Sequence, residues 1–210
     1  MPTSPAAHEE QILLFTRYPA PGQVKTRLVP VLGPHGAAAL QRRLTERTLA
    51  RIRALQQRRP VGLEVRATGG SRERFAKWLG SAKIVPQGRG GLGARLRRAF
   101  EAAFGRGAKR AVAVGADCPA LSPEVLARAF EELHRKDVVL GPAMDGGYYL
   151  VGLSRPAPAL FAAIPWGTSG VLAATLARAA AGSLSVSLLE PLADVDRPED
   201  LPHLEPVGMK

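Results

Sequence analysis

Short apolar runs alternate along this chain with longer stretches in which apolar residues recur at helical spacing. Residues 11–16, Gln-Ile-Leu-Leu-Phe-Thr, form the first run and predict a strand. Residues 61–67, 82–85, 110–115, 138–141, 148–153 and 184–189 predict six more. Leu40, Leu44, Ile52 and Leu55 share one face of a helix over 35–58, with arginines opposite. Helices are also predicted over 73–79, 92–104, 123–134 and 170–181. Ser122 is placed to cap the third of these, whose first turn holds Pro123. Pro19, Pro21, Gly22 and Pro30 mark residues 17–30 as a loop. The alternation predicts a three-layer α/β/α fold, a mostly parallel sheet with helices on both faces. Such sheets bind ligands at the carboxyl ends of their strands, which singles out the loops after residues 16, 115 and 141. Residues 1–10 read as a loose tail and 11–205 as a single domain.

Composition narrows the class. Of 210 residues, 46% are hydrophobic and 22% charged, a globular balance that excludes a disordered chain. The longest uncharged run, residues 156–177, is broken by prolines and glycines and predicts no membrane span. The first residues lack the basic run and apolar core of a secretory signal, so a cytoplasmic protein is expected. One cysteine makes no internal disulfide, and four scattered histidines make no Cys/His zinc site. Asparagine is absent and Arg outnumbers Lys, as a heat-adapted source or a GC-rich genome would each produce. The net charge of +11 is unevenly spread: residues 1–110 hold 22 basic and 6 acidic side chains, and every Asp lies at or after Asp117. A basic half suits an anion, and an acidic half can hold a cation.

Three places carry candidate chemistry. In the loop after the first strand, Gly22, Lys25, Thr26 and Arg27 precede a long helix. Two cations and a nest of N–H groups there suit phosphate, while a solvated turn explains them equally well. The spacing is not that of a Walker A loop. Gly88, Gly90 and Gly93 match the dinucleotide fingerprint literally, yet they do not follow the first strand and no ribose-binding acid lies about 20 residues on. A flexible turn is the better reading, with Gly90 and Gly93 able to line a nucleotide pocket. Arg95, Arg97 and Arg98 behind them read as a solvated helix face. Asp117 ends an apolar strand. One Asp plus substrate phosphates is an ordinary Mg²⁺ arrangement; an Asx turn is the alternative. Asp145 occupies a predicted turn with Gly146 and Gly147. Asp194 and Asp196 face the same way if their segment is extended, and Asp200 is placed to cap the closing turn. Trp166 reads as core packing, or else as an acceptor wall with Thr168 and Ser169.

Together these segments resemble a bacterial glycosyltransferase-A-like family, often labelled radical-SAM/selenodomain-associated transferases. The resemblance runs through Phe15–Leu28, Gly115-Ala-Asp-Cys-Pro119, Gly141–Leu150, Ile164–Ser169 and Asp194–Leu201, nearly the whole chain. It implies a nucleotide-diphospho-sugar transferase (GT-A, Rossmann-like) fold and kinship with molybdopterin and phospholactate guanylyltransferases. It further implies that Asp117 is the counterpart of the family's metal-binding Asp, and that Gly22, Lys25 and Arg27 grip nucleotide phosphates; with Asp117 so placed, Asp196 or Asp194 is read as completing a Mg²⁺ or Mn²⁺ site. Two departures stand out: Gly91 where such proteins tend to have Asp, and Gly167 where they tend to have Ser.

The expected activity is therefore metal-dependent transfer from a nucleotide-sugar to a small-molecule acceptor, with Asp145 orienting the acceptor or acting as base. Nucleotidyl transfer from a nucleoside triphosphate, with pyrophosphate release, is the alternative. A non-catalytic nucleotide-binding or nucleic-acid-binding protein is more remote: aromatics are 5%, no recognised nucleic-acid motif is present, and an acidic half would repel a phosphate backbone.

Overall fold

The structure, a computed structural model, describes residues 8–204. Residues 1–7 of the expected tail, and residue 205 of the expected domain, lie outside the described residues. Seven strands form one sheet in the order β3-β2-β1-β4-β6-β5-β7. They are β1 (Glu10–Arg17), β2 (Val61–Thr68), β3 (Lys83–Pro86), β4 (Arg110–Val114), β5 (Val138–Pro142), β6 (Tyr148–Leu153) and β7 (Val186–Leu188). All neighbours are parallel except that β6 runs antiparallel between β4 and β5.

The central strands are apolar runs because both of their faces are covered. Ile12 and Leu14 point into one core, completed by α1 (Val29–Gln56), α2 (Arg72–Leu79) and α4 (Pro123–Glu132). Leu13 points into the other, completed by α3 (Leu92–Gly105) and α5 (Val171–Ala181). This is the expected three-layer α/β/α fold.

The loop expected over 17–30 ends earlier than the proline pattern suggests. A 3₁₀ turn occupies Thr26–Leu28, and α1 starts at Val29 with Pro30 in its first turn, where a missing N–H costs nothing. Gly33 then breaks the helix at φ 68° before Pro34, whose ring disfavours a helical residue ahead of it. The long segment beyond this break is the helix expected from residue 35. As expected, Ser122 caps α4 by accepting a hydrogen bond from the Val125 N–H.

Candidate active site

The β1 loop, the β4 loop, the β5–β6 turn and residues 192–197 meet at the carboxyl edge of the sheet. Val195 fastens the last segment in place. Its side chain is fully buried with Leu28, Leu40 and Leu44, and its N–H donates to the Asp117 carbonyl at 2.9 Å. Leu192 adds a parallel bridge to Ala143. With Val195 inward, Asp194 and Asp196 line one cleft, as an extended segment requires. That cleft has a volume of about 630 Å³; Arg27, Asp145, Thr168, Ser169 and His203 also line it.

Lys25 lies beneath it. Its side chain is only 2% exposed, and its Nζ donates to the Val195 carbonyl at 2.6 Å. The same ammonium lies 2.7 Å from Asp117 Oδ1 and 3.8 Å from Asp196 Oδ1. Lys25 reaches this position from a left-handed backbone, φ 47°, a conformation that is strained for a residue other than glycine. The contact with Asp117 is an ion pair off the hydrogen-bond direction, so the buried Oδ1 has the ammonium's charge and no hydrogen bond. The Asp117 side chain is otherwise 47% exposed. Arg27 stands at the rim, with Nη1 2.6 Å from Asp196 Oδ2. Both cations of the loop are thus matched by carboxylates that arrive from distant segments.

Asp145 sits in a rigid turn. Its Oδ1 accepts the Gly147 N–H at 2.8 Å. Gly146 has φ 86°, and a Cβ there would run into the Ser169 carbonyl. Glycine at 146 therefore lets the Asp145 turn press against the Thr168–Ser169 wall. Asp200 caps the closing 3₁₀ turn, Pro198–His203, by accepting the Asp196 and Arg197 N–H groups.

The other expected positions do not line this cleft. Gly22 takes φ 73° in the loop, and Thr26 opens the 3₁₀ turn with an exposed side chain. Gly90 has φ 92° in an exposed turn. Gly93 is buried at the start of α3, where a Cβ would meet the Phe161 carbonyl at 2.6 Å and Trp166 Nε1 at 2.7 Å. Close packing accounts for glycine there, and Trp166 packs against the second core beside Tyr148. Arg95 and Arg98 are not a solvated face. Arg95 Nε donates to the Gly90 carbonyl at 2.7 Å, and Arg98 donates to the Gln87 and Arg89 carbonyls. Gln87 in turn donates to the carbonyls of Thr16 and Arg66, which ties the Gly-rich turn to the ends of β1 and β2.

The donor set suits a divalent cation. Asp194 is pushed above the ordinary carboxylate range, by burial first and then by the nearby charges of Asp145, Asp200 and Asp117. A cation would relieve that mutual repulsion. Among the described residues no three His, Cys, Asp or Glu side chains form a ready metal cage. A site here would rest on one or two carboxylates completed by substrate phosphates, which is how Mg²⁺ is ordinarily held. Asp194 and the Oδ2 of Asp117 fit that part better than Asp196, whose two oxygens face Lys25 and Arg27.

Residues 48–168 match a bacterial family described as an uncharacterized protein conserved in bacteria, DUF2064. The chain belongs to this family. A protein from Desulfovibrio desulfuricans G20 classed as a nucleotide-diphospho-sugar transferase is 35% identical, with TM-score 0.86, over 92% of this chain and 84% of that one. The inositol-1-phosphate CTP transferase of T. maritima shares the fold at 15% identity and TM-score 0.59, over 93% and 92% of the two chains. Glucosyl-3-phosphoglycerate synthase from Mycobacterium tuberculosis, solved with Mn²⁺ and UDP, does so at 14% identity and TM-score 0.55, over 93% and 75%. A comparison with curated proteins found no match. This DUF2064 member has the fold of the nucleotide-diphospho-sugar transferase superfamily, and its likeness to the D. desulfuricans protein makes it an enzyme of the transferase class.

Sequence reasoning found the acidic cluster through its Asp-Val-Asp alternation. It missed the burial of Lys25, and it missed His203 on the cleft wall. No local pattern marks either feature, because both depend on contacts across most of the chain.

Proposed function

We propose that this protein is a divalent-metal-dependent glycosyltransferase that uses a nucleotide-diphospho-sugar. The observation that carries this reading is the paired state of the β1 loop, with Lys25 against Asp117 and Arg27 against Asp196. A loop whose cations are already matched has little unspent charge for a triphosphate. A diphosphate that brings a divalent cation suits it better. Asp117 with Asp194 would hold Mg²⁺ or Mn²⁺, which when bound would supply Lewis-acid stabilisation to the diphosphate leaving group.

The chain's own residues do the rest. Lys25 holds Asp117 and the 194–196 segment in register. Arg27, paired with Asp196 at the cleft rim, fixes the edge against which the metal-bound donor diphosphate lies. Asp145 orients the acceptor hydroxyl and takes its proton as the oxygen bonds to the sugar's anomeric carbon. The bond between that carbon and the phosphate oxygen breaks, and the nucleoside diphosphate leaves with the electron pair. Thr168 and Ser169 form the acceptor wall, and the protein acts in the cytoplasm as one domain that begins with β1 at Glu10 rather than at the expected residue 11. Gly22, Thr26, Gly90 and Gly93 shape the neighbouring turns.

The test is product analysis with a panel of nucleotide-sugars and nucleoside triphosphates in Mn²⁺. Nucleoside diphosphate release supports the proposal. Pyrophosphate release with a nucleotidylated acceptor overturns it in favour of nucleotidyl transfer.

A further inference from the structure

A second cavity, of about 640 Å³, lies on the other side of the molecule from the cleft, at the amino ends of β1–β3. Its origin is a mismatch of strand lengths. β2 pairs with β1 from Val61 onward, whereas β3 begins only opposite Glu64. The first three residues of β2 therefore have no strand on their outer side. Gly62 adds no side chain to fill the gap.

Charge is unbalanced there. Glu64 is the one carboxylate among the described residues that line the cavity, and its side chain is 2% exposed. Its Oε1 contacts both Lys83 Nζ and Arg106 Nη2 at 2.7 Å, and its Oε2 takes Arg66 Nη2 at 2.7 Å. Arg53 also lines the wall and spends one Nη2 hydrogen bond on the Leu79 carbonyl. Three wall cations against one carboxylate leave an excess of two positive charges. Arg66 adds a third behind them; its side chain is 6% exposed and its Nε has no hydrogen-bond partner among the described residues. Burial draws the Arg66 guanidinium below the ordinary arginine range; Glu64 opposes that shift and Arg106 adds to it.

The geometry points to a binding site for a small oligophosphate anion in this cavity, held by Arg53, Lys83 and Arg106 around the fixed Glu64. Guanidinium forks and an ammonium converging from three elements match phosphate oxygens, and the excess charge matches a multiply charged anion better than a monocarboxylate. The site is separate from the proposed donor cleft and does not depend on that cleft's activity.

Calorimetric titration of the full chain with pyrophosphate in EDTA tests this, with amide NMR reporting where the ligand sits. Arg27→Ala controls for the cleft. The site predicts binding that survives in Arg27→Ala, amide shifts at Gly62, Ser81 and Lys83, and at least about tenfold weaker binding in Lys83→Gln/Arg106→Gln, about 1.4 kcal/mol. Arg53→Gln, which leaves the Glu64 pairs intact, should weaken binding in the same direction and serves if the double variant does not fold. No binding at millimolar pyrophosphate overturns the proposal, as do equal affinity in the cavity variants or shifts confined to residues 167–169 and 193–197.

Discussion

Lys25 Nζ lies 2.7 Å from Asp117 Oδ1, and the same ammonium donates to the backbone carbonyl of Val195, 170 residues away in sequence. One buried cation thus joins the β1 loop, the β4 loop and the segment bearing Asp194 and Asp196. A lysine in that position draws together carboxylates from distant segments.

Removing the ammonium should therefore unsettle both stability and binding. Lys25→Met leaves a buried carboxylate oxygen and the Val195 carbonyl without their partner. The expected loss is about 1–3 kcal/mol, below the range for a fully buried pair because Asp117 is half exposed. Denaturant unfolding measures it. In a double-mutant cycle, Lys25→Met with Asp117→Asn should cost less than the sum of the two. Additive losses would show that the two groups are not coupled.

Asp117→Asn keeps the shape of the side chain and removes its charge. The protein should stay folded, while the thermal stabilisation by nucleotide plus Mn²⁺ disappears, since a ligand that binds only the native state raises stability by mass action. An unchanged shift in the variant would remove Asp117 from the proposed metal site.

Gly146→Ala probes the acceptor side. The residue has φ 86° and faces the Ser169 carbonyl, so a methyl group meets strain and a backbone clash together. A stability loss of about 1–3 kcal/mol is expected. Turnover should fall further than donor affinity, because Asp145 is displaced while Asp117 is not touched. Steady-state kinetics with the donor and acceptor varied separately would resolve the two effects.

Asp137 offers a pH test away from the site. Arg155 first, and then the N–H and hydroxyl of Ser185, hold its carboxyl down at about 2. The folded value lies below the unfolded one. Its contribution is therefore fully present above the unfolded carboxylate value, about 3.9, and is lost as pH falls toward 2. Asp137→Asn should lower the unfolding midpoint at neutral pH. The gap between wild type and variant should narrow between about pH 4 and 2. A gap that stays constant with pH would assign the effect to packing.

Most of the strands were legible because both faces of the sheet are covered, so that Ile12, Leu13 and Leu14 are all apolar although they serve opposite cores. Helix α3 was legible from its apolar spacing and α4 from Ser122 and Pro123. The early start of α1 was harder to read, because Pro30 both breaks helices and opens them. Arg95 and Arg98 of α3 misled for a related reason, whereas Arg97 is exposed as expected. Charge on a helix looks solvated until the partner carbonyls of Gln87, Arg89 and Gly90 are known to curl back over it.

By itself the sequence determined the order of strands and helices, the edge of the sheet at which the acidic cleft opens, and the shared facing of Asp194 and Asp196. These follow from local rules: the periods of strand and helix, and the place of loops in a parallel sheet. Only the tertiary structure decided that β6 enters antiparallel between β4 and β5, that Gly93 leaves room for the Phe161 carbonyl and Trp166, and that Lys25 is buried against Asp117 and Val195. Each of these depends on groups far apart in the chain that meet only once the sheet has closed around its two cores. An isolated loop could not hold an ammonium away from water; the folded protein can, because a carbonyl and a carboxylate replace the water that Lys25 gives up.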